Sequence, residues 1–327
     1  MRALVTGASG CLGSHIVRAL LQSGVEVRAL VRAGSDLSAL EGLPIEKVEG
    51  DLRDPSSLAR ACVGCAQVYH AAGLTSTWAG HRKALFEVNV KGTEDLLAAS
   101  LKAGVERFIY TSSAGVLGFT DDPAATLDES VPFTLDAARF PYQTSKFQAE
   151  ERVRAAVREG LPAVICMPSL LFGAWDRSQH SAGLLRMARR GGLLFYPPGG
   201  IAAVAASDAA AGHLLVARSG QVGARYLLSG ENLPFRDLFR IIRRFAGGPG
   251  TWLPLPASAL TMGQLVSHQL SRAGNRAPFL TDSRVQVLTS FGYVSDHLAR
   301  STLHYEPGLV ADGVQAAADW LSREQRW

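Results

Sequence analysis

Apolar positions in the first half of the chain follow two alternating periods. Arg2–Thr6 is a short, nearly continuous apolar run, which predicts a buried strand. Leu12–Gln22 repeats its apolar residues at helical spacing. The alternation continues through a strand at Val25–Val31, short helical stretches at Ser38–Leu40 and Ser56–Ala61, and a strand at Gln67–His70. A long helix at Ala84–Ala103, a strand at Arg107–Thr111, a long helix at Tyr142–Glu159 and a strand at Ala163–Met167 follow. Strands alternating with helices predict an α/β fold, a doubly wound parallel sheet with helices on both faces and right-handed crossovers.

The pattern loosens after Pro168. Residues 174–200 mix Gly, Pro and aromatics around one basic helix. Asp208–Ser219 reads as helix and Arg225–Leu228 as a strand rejoining the sheet. Helices are predicted at 235–246, 257–270, 281–290 and 312–324, separated by Gly/Pro loops. The chain therefore divides into a larger domain, 1–168 plus 201–230, and a smaller, mostly helical lobe, 169–200 plus 231–327. Thr251–Leu270 has no charge apart from His268, so it reads as a buried or pocket-lining helix, with a membrane-surface role as the alternative.

Composition narrows the class. Of 327 residues, 47% are hydrophobic and 19% charged, which suits a packed globule and not a disordered chain. The net charge of +4 is spread out. Arg186/Arg189/Arg190 and Arg236/Arg240/Arg243/Arg244 recur at helical spacing and read as solvated helix faces, so no nucleic-acid partner is expected. Cys62 and Cys65 have zinc-pair spacing, but no second pair completes four ligands, so no metal is expected. The opening strand is too brief for the apolar core of a signal peptide, and no run is long enough to span a bilayer. With few cysteines, these features point to the reducing cytoplasm.

Thr6-Gly7-Ala8-Ser9-Gly10-Cys11-Leu12-Gly13 joins the first strand to the first helix. Gly7 and Gly10 let the backbone turn tightly against a pyrophosphate, and Gly13 lets helix and strand pack closely. The helix N-terminus supplies unpaired N–H groups and partial positive charge. Gly7, Ser9, Gly10, Cys11, Leu12 and Gly13 are the expected cofactor contacts of this turn. Its glycine spacing resembles that of extended and atypical short-chain dehydrogenase/reductases, the superfamily of epimerase/dehydratases, dihydroflavonol-type reductases and 3β-hydroxysteroid dehydrogenases. Gly50-Asp51-Leu52, His70-Ala71-Ala72, Asn89-Val90-x-Gly92-Thr93, Tyr110-Thr111-Ser112-Ser113, Tyr142-x-x-x-Lys146 and Asp208-x-Ala210-x-Gly212-His213 extend the resemblance to about residue 230. It implies a Rossmann-like sheet that binds a nicotinamide dinucleotide, with the second lobe holding substrate. It also implies that Asp51 and Leu52 lie near the adenine, Ala71 and Ala72 line the cofactor groove, Asn89 orders the loops, and Pro168 lies against the nicotinamide. His70 is implied to be structural.

NAD enzymes usually end the second strand with an acid on the ribose 2′-hydroxyl. Val31 stands there, followed by Arg32, which can meet a 2′-phosphate with charge-assisted bonds. NADP(H) is therefore expected over NAD(H).

Tyr142 and Lys146 share a helix face. Hydride delivery to a carbonyl leaves an alkoxide that needs a proton. A tyrosine beside an ammonium can supply it, because the positive charge stabilises the phenolate. The resemblance makes Ser113 the third member, holding the carbonyl, with Ser112 as the fallback. Ala114 and Gly115 follow it where sugar dehydratases carry an acid, so dehydration is not expected. The stretch after Met167 lacks the Gly-Pro ending of related epimerases, and 203–208 lacks a His common there, which predicts a smaller, more apolar pocket wall near Ala205. Trp78, Leu117, Phe172 and Tyr196 are the expected substrate contacts, with Phe119 and Trp175 nearby in sequence, and they point to a hydrophobic ketone or aldehyde. The alternatives are a nucleotide-sugar epimerase with tightly held NAD, and a non-catalytic NADP-binding sensor. Relatives pair through the helices at 84–103 and 142–159, so a homodimer is possible on the same grounds.

Overall fold

The computed structural model describes residues 1–76, 79–177, 181–274, 278, 280–324 and 327. The chain opens with β1 (Arg2–Thr6), α1 (Cys11–Gln22), β2 (Glu26–Val31), β3 (Glu46–Glu49), α2 (Pro55–Cys62) and β4 (Gln67–His70). The expected long helix is a composite of α3 (Arg82–Phe86), one π-helical turn (Glu87–Lys91) and α4 (Gly92–Lys102). β5 (Arg107–Thr111), α5 (Pro141–Arg158) and β6 (Ala163–Pro168) complete the regular alternation.

The second half carries β7 (Leu170–Phe172), α6 (Ser181–Arg190), β8 (Gly192–Tyr196), β9 (Gly200–Ala205), α7 (Ala206–Ser219), β10 (Arg225–Leu228) and β11 (Glu231–Pro234). It closes with α8 (Phe235–Ala246), β12 (Gly250–Pro254), α9 (Ala257–Gly274), α10 (Asp282–Thr289), β13 (Phe291–Gly292), α11 (His297–Leu303) and α12 (Val310–Arg323).

Among the described residues, seven strands form one parallel sheet in the order β3-β2-β1-β4-β5-β6-β10. The order reverses direction between β1 and β4, and a doubly wound sheet opens a crevice there at its carboxyl edge. Strand alternation divides the core. Leu4, Phe108 and Tyr110 pack with α2, α4 and α5 on one face, whereas Ala3, Val5 and Ile109 pack with α1, α7 and α11 on the other. β3 gave no apolar signal because Glu46, Lys47 and Glu49 lie on an exposed sheet edge, where charge blunts pairing with other chains.

β7, β9, β11 and β13 form a second sheet, covered by α12 and α8. β9 lies in the stretch grouped by sequence with the larger domain, yet it pairs with β7 and β11 instead of the large sheet. It is apolar and almost wholly buried, so its pattern carries no sign of which sheet it joins. α9 departs further from expectation. Leu260 and Ser267 are buried, but Met262, Leu265, Val266 and Leu270 are 52–63% exposed, so this helix is not a buried one.

Candidate active site

The turn after β1 forms one lip of the crevice. Gly7 has φ +69°, and a Cβ there would stand 2.7 Å from the backbone nitrogen of Ala72, on the opposite lip. A Cβ at Gly13 would stand 2.1 Å from the Gly7 carbonyl oxygen, so only glycine lets α1 sit this close to the turn. Thr6 ties the lips together. Its carbonyl accepts from the Ala71 N–H at 3.3 Å, and its hydroxyl accepts from the Ala72 N–H at 3.2 Å. The Thr6 hydroxyl also bonds His70 Nδ1 at 2.7 Å, and His70 Nε2 bonds the Thr93 hydroxyl at 2.9 Å. Burial pushes His70 down to about 3, so it is neutral and acts as a strut.

Gly10 caps α1 without a side-chain bond, and its first turn holds no acid. An anion meets backbone N–H groups there with no competing carboxylate. Ser9 is half-buried and Gly10 exposed, while Leu12 is buried and the Cys11 thiol is raised by burial.

A polar cleft of about 590 Å³ opens beyond β2, lined by Arg32, Arg53 and Arg60 together with Glu49, Asp51 and Asp54. Arg32 is exposed at its rim. Asp51 takes both Nε and Nη2 of Arg53, at 3.0 and 2.8 Å, and this contact holds its carboxyl down to about 2. Leu52 is buried against Gly92.

The second half of the site is a ladder between α5 and the end of β5. Three residues one turn apart on α5 reach three consecutive residues of the strand end. The Tyr142 phenol stands beside the Ser113 hydroxyl, close enough for its acidity to feel it. Lys146 Nζ donates to the Thr111 carbonyl at 2.8 Å. Glu150 accepts from the Ser112 hydroxyl at 2.5 Å. Ser112 thus turns inward to a buried carboxylate, and Ser113 turns toward the tyrosine. Ser113 also accepts from the Gly115 N–H at 3.1 Å. Glu150 is ion-paired with Arg154 at 3.1 Å and Arg225 at 3.5 Å.

Asn89 completes the cluster. It sits on the π-helical turn, donates to Ser145 Oγ at 2.9 Å and to the Leu74 carbonyl at 3.0 Å, and accepts from the Leu74 N–H at 2.8 Å. The loop that Asn89 holds passes over Lys146: a Cβ on Gly73 would lie 3.2 Å from its Nζ. Pro168 ends β6, the strand beside β5.

Burial shifts both polar groups of the ladder. Tyr142 is pushed up to about 12, with the neighbouring Ser113 hydroxyl pulling it back. Lys146 is pushed down to about 8, with the Glu150 charge pulling it up. The expected lowering of the tyrosine by the ammonium is therefore not what this geometry gives. Desolvation outweighs it, and Lys146 directs its bond to a carbonyl.

The expected substrate contacts are less well assembled. Phe172 has no exposed surface and packs in the core beneath α12, so it is a core residue and not a pocket wall. Leu117 is 4% exposed in the core above β5. Ala205, expected beside a smaller, more apolar pocket wall, packs against α12, since a Cβ on Gly313 would lie 2.9 Å from the Ala205 Cα. Tyr196 is half-buried at the end of β8, and Trp78 lies outside the described residues. Sequence reading missed Glu150 and Gly73. Glu150 had a signal, as it continues the four-residue spacing of Tyr142 and Lys146.

Comparison with known proteins agrees with this geometry. The model of the NAD dependent epimerase/dehydratase family matches residues 3–228. A putative dihydroflavonol 4-reductase of Synechocystis sp. is 37% identical over 77% of this chain and 76% of its own. Sterol demethylase protein B of Methylococcus capsulatus is 34% identical over 97% of this chain and 96% of its own. The crystal structure of gox2253 superposes with a TM-score of 0.88 at 34% identity, covering 99% of this chain and 98% of that one.

Proposed function

The chain belongs to the NAD dependent epimerase/dehydratase family, an enzyme family that binds a nicotinamide dinucleotide, and from that premise we propose that it is an NADPH-dependent reductase of a carbonyl on a hydrophobic small molecule. The observation that carries this reading is the α5 ladder, with a protonated phenol, a serine hydroxyl and a buried lysine around one strand end. The glycine turn and the uncapped start of α1 would hold the pyrophosphate. Arg32, at the rim of the polar cleft, would hold the 2′-phosphate. Val31 stands where an acid would bond the ribose hydroxyl of NAD. Ala71, Ala72, Asn89 and Pro168 would bound the groove, and Asp51 and Leu52 the adenine end.

When bound, NADPH supplies the hydride. Ser113 holds the substrate oxygen beside Tyr142 and stabilises the charge that develops on it. Tyr142, protonated at neutral pH because burial keeps it near 12, gives its phenolic proton to that oxygen. The resulting phenolate is stabilised by the Lys146 ammonium until solvent restores the proton.

Support for reduction comes from relatives described as a dihydroflavonol 4-reductase and as a farnesyl-quinoline-oxide ketoreductase from Stigmatella aurantiaca. The Tyr142→Phe variant tests the reading. It should bind NADPH as the native enzyme does and lose about 10²–10⁴-fold in carbonyl reduction. Near-native turnover would sink the mechanism. NAD that co-purifies and supports turnover without added reductant would favour a nucleotide-sugar epimerase instead.

A further inference from the structure

We propose that α9, together with the basic helices α6 and α8, forms a docking surface for an anionic lipid bilayer. α9 is amphipathic in an inverted sense. Beside the buried Leu260, its packed side is polar: Gln264 donates to Asp282 at 2.5 Å, the half-exposed His268 ring bonds the same carboxylate at 3.0 Å, and the buried Ser267 hydroxyl accepts from the Leu280 N–H at 3.0 Å. Its outer side carries Met262, Leu265, Val266 and Leu270, each more than half exposed and all on one face at helical spacing. A helix of a water-soluble surface normally points such residues the other way.

Two basic helices precede α9 along the chain. α6 and α8 pack together and hold seven arginines against a single acid, Asp237. Arg189, Arg190, Arg236, Arg240, Arg243 and Arg244 are exposed. The β8–β12 ribbon links these helices to α9, and it adds Phe195 and Leu253, cross-strand partners that are 42% and 41% exposed. No described helix is long and apolar enough to cross a membrane. The surface therefore suits a partner that offers hydrocarbon and negative charge together, which is the interface of an anionic bilayer. A two-fold contact with a second copy would set these arginines against themselves. Nucleic acid would satisfy the arginines and leave the leucines in water.

The inference is independent of the reductase reading, and its test involves no turnover. The purified chain is spun with vesicles of equal parts phosphatidylglycerol and phosphatidylcholine, and with phosphatidylcholine alone. It should sediment with the anionic vesicles, and added salt should release it. A Leu265→Gln/Val266→Gln/Leu270→Gln variant should bind about tenfold more weakly or worse. An Arg243→Gln/Arg244→Gln variant should lose preference for the anionic lipid. Thermal melting at the native temperature shows that both variants are folded, since the changed side chains are solvent-facing. Failure of the native chain to sediment, or unchanged binding by the triple variant, overturns the proposal. So does a vesicle-free dimer that the triple variant converts to monomer, which would assign the face to a second copy.

Discussion

Tyr142 and Lys146 stand one helical turn apart and titrate on opposite sides of their usual values. The reduction proposed for them needs the phenol protonated and the lysine charged. Lys146 is held at about 8 and Tyr142 at about 12, so the lysine is the first to lose its working state as pH rises. The kcat/KM for reduction should be level below about pH 8 and then fall about tenfold per unit, because one proton is lost from the site. A profile flat from pH 7 to 9.5 would remove Lys146 from the mechanism. At the other end of the groove, Arg32→Asp should lower the NADPH/NADH ratio of kcat/KM by about 10- to 100-fold, the worth of a charge-assisted hydrogen bond. Steady-state kinetics with both cofactors checks it, and an unchanged ratio would clear Arg32 of the role. Much at this scale was legible in the sequence. Gly7, Gly13, Tyr142 and Lys146 declare themselves through spacing, because backbone approach and helix periodicity leave few residue choices. The side-chain partners were not legible. Whether Ser112 or Ser113 faces the tyrosine depends on which way a strand end turns, and the buried Glu150 carboxylate decides that by taking Ser112.

At the scale of elements, α5 is both a core helix and the frame of the site. Ala149, Val153 and Ala156 face the sheet, and Tyr142, Lys146 and Glu150 grip the end of β5. Glu150→Ala removes the acceptor of Ser112 and leaves Arg154 and Arg225 without their buried partner. Stability should drop by about 3 kcal/mol, the lower end for breaking a buried ion pair, because both arginines keep some contact with water. Urea unfolding measures it, and a midpoint equal to the native one would mean that the carboxylate holds nothing. Most helices and six of the seven strands of the large sheet were legible in the sequence to within a few residues, whereas the strands of the smaller sheets and the π-helical turn at 87–91 were not. Nothing in hydrophobic spacing distinguishes it, although it swings Asn89 onto Leu74 and Ser145. α9 was misjudged for a related reason. An uncharged helix reads as buried when pattern alone is weighed, and only the packing around Asp282 reveals which side faces in.

For the molecule as a whole, α12 is the seam, lying on β7, β9 and α8 and filling the space beside Ala205. A Cβ on Gly313 would come within 2.6 Å of the Phe172 carbonyl oxygen, so Gly313→Leu overpacks the seam and should cost about 1–3 kcal/mol. The damage should stay in the second sheet: substrate KM should rise while NADPH binding, followed by fluorescence titration, holds. Equal loss of both would show that the two sheets respond as one body. The chain also passes from the large sheet to the small one after β6, returns at α7, and leaves again after β10. Neither half is a contiguous stretch, so no single cut in the gene releases one from the other. Segments inserted between strands of a finished cofactor-binding sheet can lengthen, shorten or diverge without disturbing the glycine turn or the α5 ladder. Descent can therefore rewrite what the enzyme accepts many times over while inheriting its chemistry unchanged.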